Sequence, residues 1–328
     1  MDRNEIQLMR KGELHVHLNG LVSSDVIRNL LVHDEAELPF GFDLEKDLNI
    51  LQPADSLLSY LKPWQVLRLI PKSKNCLKVI IESAFLNLKS QNITFVEIRN
   101  SILYLALLNN IAVDEAMHWV VSEIECASER HKIKAALILT ISRGDYAPEH
   151  LRSLLDAYEK LGRPDIVVGL DLAGNEESES PPETGSLFLK AKDKYELKVT
   201  IHAGETGRVE NIVSAVNEFG ADRIGHGTAA SKSIEVMDLL KTRNICIEVC
   251  PISNRLTNAV DESESHPVAD FIAHNVPFVI CSDNPAIHCS SLTEDYLEFY
   301  RETNSSQLLR DMYSNQKKYS FIKGEYGN

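Results

Sequence analysis

Two imidazoles separated by one residue, His15 and His17 in Leu14-His15-Val16-His17-Leu18, lie in a short apolar run. If the run is a strand, alternation puts both rings on one face, near enough to share a single ion. His202 in Ile-His-Ala-Gly-Glu and Asp283 in Val-Ile-Cys-Ser-Asp-Asn-Pro close apolar segments in the same way. Three imidazoles and a carboxylate suit a borderline divalent ion such as zinc, one per chain, with a position left for water. Such an ion lowers the pKa of bound water from about 16 toward 7 and yields a hydroxide nucleophile near neutral pH. Glu205, three residues beyond His202 across Ala203-Gly204, is placed for proton transfer. His226, between two glycines in Arg-Ile-Gly-His-Gly-Thr, could orient the hydroxide or stabilise developing charge. Each motif alone has a plainer reading: a strand-end histidine is usually a hydrogen-bonded structural residue, and an Asp before Asn-Pro is usually a turn or cap. Their weight comes from recurring at the ends of different apolar segments.

These residues need elements to converge them. β-rich runs at Glu13–Leu18, Thr94–Arg99, Lys134–Ile141, Ile166–Leu172, Lys198–His202, Arg223–Gly225, Ile245–Cys250 and Phe278–Cys281 alternate with helical periodicity at Cys76–Ser90, Val113–His131, Pro148–Leu161, Val209–Phe219 and Ser233–Lys241. Eight strands alternating with helices predict parallel βα units closed into a (β/α)8 TIM barrel, an α/β fold in which catalytic groups gather at the carboxyl ends of the strands. His15, His17, Asp171, His202, Glu205, His226, Asp283 and Asn284 all fall there. The expected organisation is one barrel domain over residues 1–328, with a helical insertion at about 20–92 in the first crossover. Leu57, Tyr60, Leu61 and Trp64 fall at helical spacing in that insertion and predict a lid over the mouth, although such a stripe also suits core packing. The loop Asn175–Thr184 follows the fourth strand and belongs on the active face, and the polar tail from Asn315 to Asn328 predicts a frayed or loosely packed end.

Composition narrows the function classes. A formal net charge of −14 argues against a nucleic-acid partner, since a phosphate backbone is bound by concentrated Lys and Arg, and leaves a small substrate. No apolar run reaches the roughly 18 residues of a membrane span, and the start, Met1-Asp2-Arg3-Asn4-Glu5, is polar rather than signal-like. Six dispersed cysteines lack the spacing of a disulfide scaffold and fit a reducing cytoplasm, with Cys246 and Cys250 expected as buried core thiols. Oligomeric state is not legible in the sequence.

Taken in order, Leu-His-Val-His-Leu-Asn-Gly, Asp-Leu-Ala-Gly-Asn-Glu, His-Ala-Gly-Glu, Arg-Ile-Gly-His-Gly, Cys-Pro-Ile-Ser-Asn and Ser-Asp-Asn-Pro resemble the signature segments of the adenosine/AMP deaminase family, over nearly the whole chain. The resemblance implies a zinc barrel in which hydroxide adds to C6 of a 6-aminopurine nucleoside or nucleotide and ammonia leaves. It implies His15, His17, His202 and Asp283 as zinc ligands, Glu205 as the donor to ring N1, and His226 as the group that holds or deprotonates the attacking water. It further implies Gly174 as a backbone donor to N3, with Tyr60, Leu61 and Trp64 as a gate.

Two positions depart from the family's usual pattern. Asn19 stands where adenosine deaminases have an aspartate meeting the ribose 5′ end, and its neutrality removes a charge that would repel a 5′-phosphate. Asn284 stands where the family has a second aspartate contacting N7, and an amide always carries donors. The alternatives are therefore a deaminase of adenine, N6-methyl-AMP or another amine-bearing ring, or a purine-binding protein without turnover.

Overall fold

The computed structural model describes residues 1–324. Its eight strands are β1 (Lys11–His17), β2 (Ile93–Asn100), β3 (Lys134–Ser142), β4 (Val167–Ala173), β5 (Lys198–Ala203), β6 (Arg223–His226), β7 (Cys246–Val249) and β8 (Phe278–Ile280). They pair in parallel in sequence order, β1 to β8. The two ends meet just beyond β8: the Asp283 N–H donates to His15 O at 2.8 Å, the His17 N–H donates to Asp283 O at 3.0 Å, and Val16 and Asp283 form a parallel bridge. The fold is the expected TIM barrel, and each expected strand is present to within a few residues.

Helices on the outside bury one face each. Lys74–Ser90 starts where Ser73 Oγ accepts from the Cys76 N–H, and its buried residues, Cys76, Leu77, Ile80, Ile81, Ala84, Phe85 and Leu88, recur every three or four positions. It packs against β2 and helix Val113–His131. The crossover before it holds helix Ser24–His33 and three single turns, Leu44–Asp47, Leu57–Tyr60 and Trp64–Leu67.

The inside of the barrel is charged. Arg223 donates to Glu97 and to Glu248, both at 2.6 Å, while Arg99 donates to Glu248 at 2.6 Å and lies 3.6 Å from Asp171. All five side chains are at most 1% exposed. Burial opposes ionisation of Glu248 and Asp171, yet Arg99 and Arg223 hold Glu248, and His202 and Arg99 hold Asp171, well below the ordinary carboxylate range. Three carboxyl groups thus face two guanidinium groups inside the barrel.

The tail departs from its expected looseness. Gln316 is fully buried, accepting from the Gly12 N–H at 2.9 Å and donating to Ile280 O at 3.1 Å. Ser320 Oγ donates to Glu97 at 2.6 Å, and the Phe321 ring lies 3.5 Å from the Arg223 guanidinium. These residues close one end of the barrel, and they add partners to the buried Glu97–Arg223 pair beyond those the strands supply. The last four positions of the predicted loose tail, 325–328, lie outside the described residues. Among the described residues, no helix is long and apolar enough to cross a membrane.

Candidate active site

The carboxyl ends of β1, β5, β6 and β8 deliver the candidate residues to one place. One donor atom from each of His15, His202, His226 and Asp283 lies within 4.8 Å of every other. His17 joins them through Nε2, 3.3 Å from His202 Nε2 and 3.4 Å from Asp283 Oδ1. His226 and Asp283 have φ of 63° and 58°. Left-handed backbone is uncommon for such residues, and here it turns their side chains inward where each strand stops. Gly225 makes room for the cluster: a Cβ there would stand 2.8 Å from His15 Cε1.

Hydrogen bonds sort these side chains into two kinds. His15 Nδ1 donates to the Glu248 carboxylate at 2.7 Å, and His202 Nδ1 donates to Asp171 at 2.9 Å. Both pairings commit Nδ1 and turn Nε2 toward the mouth, where Nε2 of His15 is buried with no hydrogen-bond partner. Burial holds His17 mainly neutral, with its pKa pushed down to about 3. Together with Asp283 Oδ1, 3.6 Å from His15 Nε2, these nitrogens form an N/O donor set of the type that holds a divalent ion.

His226 is different. Burial pushes the neighbouring His266 down to about 3, so its ring is neutral, and its Nδ1 accepts from the Val268 N–H at 3.1 Å. Its proton is therefore on Nε2 and is received by Asn254 Oδ1 at 3.2 Å. That orients the Asn254 amide so that Nδ2 donates to His226 Nδ1 at 3.0 Å. Burial holds His226 well below its ordinary pKa. The neutral ring must then carry its hydrogen on Nε2, as a donor rather than a lone pair. Distance alone groups His226 with the ion-binding atoms, whereas the hydrogen bonding assigns it to donation.

Glu205 is 8% exposed, and its carboxylate stands 3.7 Å from His226 Nδ1. Burial, then Asp283 and Glu176, raise its pKa well above the ordinary carboxylate value. Its loop is fixed from below by Glu176, which accepts from the N–H groups of Gly204 and Thr206 and from Asn211 Nδ2. Glu176 belongs to the loop expected on the active face after the fourth strand.

A cavity of about 440 Å³ opens above the cluster, within the range of small-molecule sites. Its walls include Asn19, Tyr60, Leu61, Trp64, Gly174 and Asn284 together with His17, His202, Glu205, His226 and Asp283. His15 lies beneath this lining. Asn19 Nδ2 donates to Leu67 O at 3.3 Å and so ties the crossover to the end of β1. Asn284 Nδ2 donates to Asp283 Oδ1 at 2.7 Å and to the Tyr60 hydroxyl at 3.2 Å. Both amide protons expected to face a purine N7 are thus engaged, and Oδ1 is buried against Gly20 without a hydrogen-bond partner.

The sequence reading left Glu248, Arg99, Glu176, Ser253 and Asn254 unassigned. The available signal was Glu97, Arg99 and Glu248 standing inside otherwise apolar strands, where a charge needs a buried partner.

An adenosine deaminase family model matches residues 10–326. The adenosine deaminase of Clostridium kluyveri is 31% identical over 300 residues, covering 90% of this chain and 85% of the relative. Among solved structures, an N6-mAMP deaminase from Arabidopsis superposes with a TM-score of 0.84 at 23% identity, covering 98% of this chain and 96% of that one. An amidohydrolase from Burkholderia ambifaria with bound Zn superposes with a TM-score of 0.85 at 20% identity, covering 98% and 88% respectively.

Proposed function

The chain belongs to the adenosine deaminase family of hydrolytic deaminases, and on that premise we propose that it is a zinc-dependent deaminase of a 6-aminopurine nucleoside or nucleotide. The observation that carries the reading is Nε2 of His15, buried without a partner while its Nδ1 proton is committed to Glu248. A buried imidazole nitrogen that faces two other imidazoles and a carboxylate, and makes no hydrogen bond to any of them, is the arrangement that a shared cation satisfies. His15, His17, His202 and Asp283 would hold zinc, and when bound it supplies the Lewis acidity that makes water a competent nucleophile near neutral pH.

The chain's own groups handle the rest of the reaction, in which water oxygen becomes bonded to C6 and the amino nitrogen departs as ammonia. Glu205, protonated because burial and its acidic neighbours raise its pKa, presents a proton to ring N1 and meets charge as it develops there. His226 donates from Nε2 toward the attacking oxygen and fixes its approach, a holding role favoured over proton abstraction by the tautomer that Asn254 imposes. The N–H of Gly174, at a φ of 97° on the cavity wall, is available to N3. Tyr60, Leu61 and Trp64 cover the mouth and exclude water. Asn19 brings no negative charge to the 5′ end, so a phosphate is not repelled there.

The test follows absorbance during incubation of zinc-replete protein with adenosine, 5′-methylthioadenosine, AMP, N6-methyl-AMP and adenine. Conversion of at least one 6-amino ring to the 6-oxo product is expected. Five unchanged spectra would sink the reading.

A further inference from the structure

We propose that Tyr60, carried by the first crossover, is a positioning residue for Asp283: its hydroxyl locks the carboxylate into one orientation and thereby ties closure of the crossover to retention of the metal. The inference rests on the metal-dependent reading above and adds a role for a hydroxyl that an apolar gate does not need. A ring alone would fill the space between Trp64 and the mouth.

Tyr60 ends the turn Leu57–Tyr60 and is 3% exposed. Its hydroxyl oxygen lies 2.7 Å from His288 Nε2, 3.2 Å from Asp283 Oδ2 and 3.2 Å from Asn284 Nδ2, with Ser253 Oγ more distant at 3.5 Å and donating to Asp283 instead. A phenol donates once and accepts twice. The Asn284 amide nitrogen can only donate and the Asp283 carboxylate can only accept, so the phenol proton goes to Asp283. The remaining lone pair receives the Nε2–H of His288. Every hydrogen-bonding capacity of the Tyr60 hydroxyl is then used.

The consequence falls on Asp283. Its Oδ2 receives two hydroxyls, from Tyr60 and from Ser253 at 2.6 Å. Its Oδ1 receives Asn284 Nδ2–H at 2.7 Å, itself anchored on the Tyr60 hydroxyl, and faces His15 Nε2 at 3.6 Å and His17 Nε2 at 3.4 Å. A carboxylate torsion is otherwise broad and two-fold, so the hydroxyls decide which oxygen points at the metal position. Ser253 sits on the barrel side in helix Pro251–Leu256, whereas Tyr60 comes from the crossover. Moving the crossover away must break all three bonds at the Tyr60 hydroxyl and release half of the restraint on Oδ2. Linkage works both ways, so an ion held by Asp283 also favours the closed crossover.

The test compares zinc release from zinc-loaded wild type, Tyr60→Phe and Leu61→Ala into excess chromophoric chelator. Tyr60→Phe keeps the ring and removes the hydroxyl, and it should release zinc about 10–100-fold faster, the usual scale for losing a group that orients a ligand. Leu61→Ala loosens crossover packing but keeps the hydroxyl, so it should release zinc faster than wild type but several-fold more slowly than Tyr60→Phe, while KM rises. Equal release by Tyr60→Phe and wild type overturns the proposal. Equal acceleration by both variants also overturns it, since packing alone would then explain retention. A wild-type chain that takes up no zinc overturns the metal reading itself and this inference with it.

Discussion

Asp171 stands 2.9 Å from Nδ1 of His202, and this pairing leaves Nε2 of the imidazole as the atom that faces the mouth. Arg99, 3.6 Å away on the other oxygen, keeps Asp171 ionised despite complete burial. The carboxylate therefore fixes both the tautomer and the tilt of the ring. Asp171→Asn, close to isosteric, should weaken zinc affinity about 10–100-fold in chelator competition at constant pH. Unchanged affinity would mean that the ring is positioned by packing alone.

In the proposed reaction Glu205 acts on the substrate rather than on the ion. Glu205→Gln keeps the shape and removes the transferable proton, so kcat/KM should fall by roughly 10²–10⁴. Zinc content measured by atomic emission should stay at the wild-type value. Wild-type turnover in this variant would remove the proton-transfer role.

Gly225 packs under the imidazoles. An alanine Cβ there would meet His15 Cε1 at 2.8 Å and the His202 backbone Cα at 3.3 Å, and the His15 ring is fully buried. Gly225→Ala should cost about 1–3 kcal/mol in urea unfolding of the metal-free protein. It should also lower zinc occupancy, which equilibrium dialysis would show. Wild-type values of both would contradict the close approach.

Lys11 gives a pH signature remote from the ion. Its ammonium donates to the carbonyls of Gln7, Met9 and Gln91 at 3.0, 3.1 and 3.0 Å, and burial, partly offset by Glu294, lowers its pKa to about 8. The unfolded chain keeps that proton to a higher pH than the folded one. Between about pH 8 and the ordinary lysine value the unfolded state therefore binds more protons, and stability rises with pH in that window. Below pH 8 both states are protonated and the contribution is flat. Unfolding free energies of wild type minus Lys11→Met, measured from pH 7 to 10, should climb above pH 8. A flat difference would contradict the shift.

The path from sequence to structure was clearest where one residue's chemistry depends on local pattern. Alternation in Leu14-His15-Val16-His17-Leu18 was enough to pair two imidazoles, and strand ends were enough to gather His202, His226 and Asp283. What escaped the sequence depends on partners far apart in the chain. Arg99, Glu248, Arg223 and Glu97 occupy three strands, and only barrel closure brings the four charges into one buried network. The tail read as loose because Gln316 and Ser320 are polar, yet both satisfy groups at the lower end of the barrel. The His226 tautomer passes through Asn254, His266 and a backbone N–H, a relay with no sequence signature. Tyr60 read as one more gate aromatic, since nothing in Leu57-Leu58-Ser59-Tyr60 foretells a hydroxyl reaching Asp283.

In the proposed function one metal ion, held by His15, His17, His202 and Asp283, supports deamination of a 6-aminopurine. The most direct measurement is ammonia release from the five-member substrate panel by chelator-stripped protein titrated with zinc. Activity should be absent before zinc, rise linearly, and level off at one zinc per chain. Full activity in the stripped protein, or none at saturating zinc, would contradict the account.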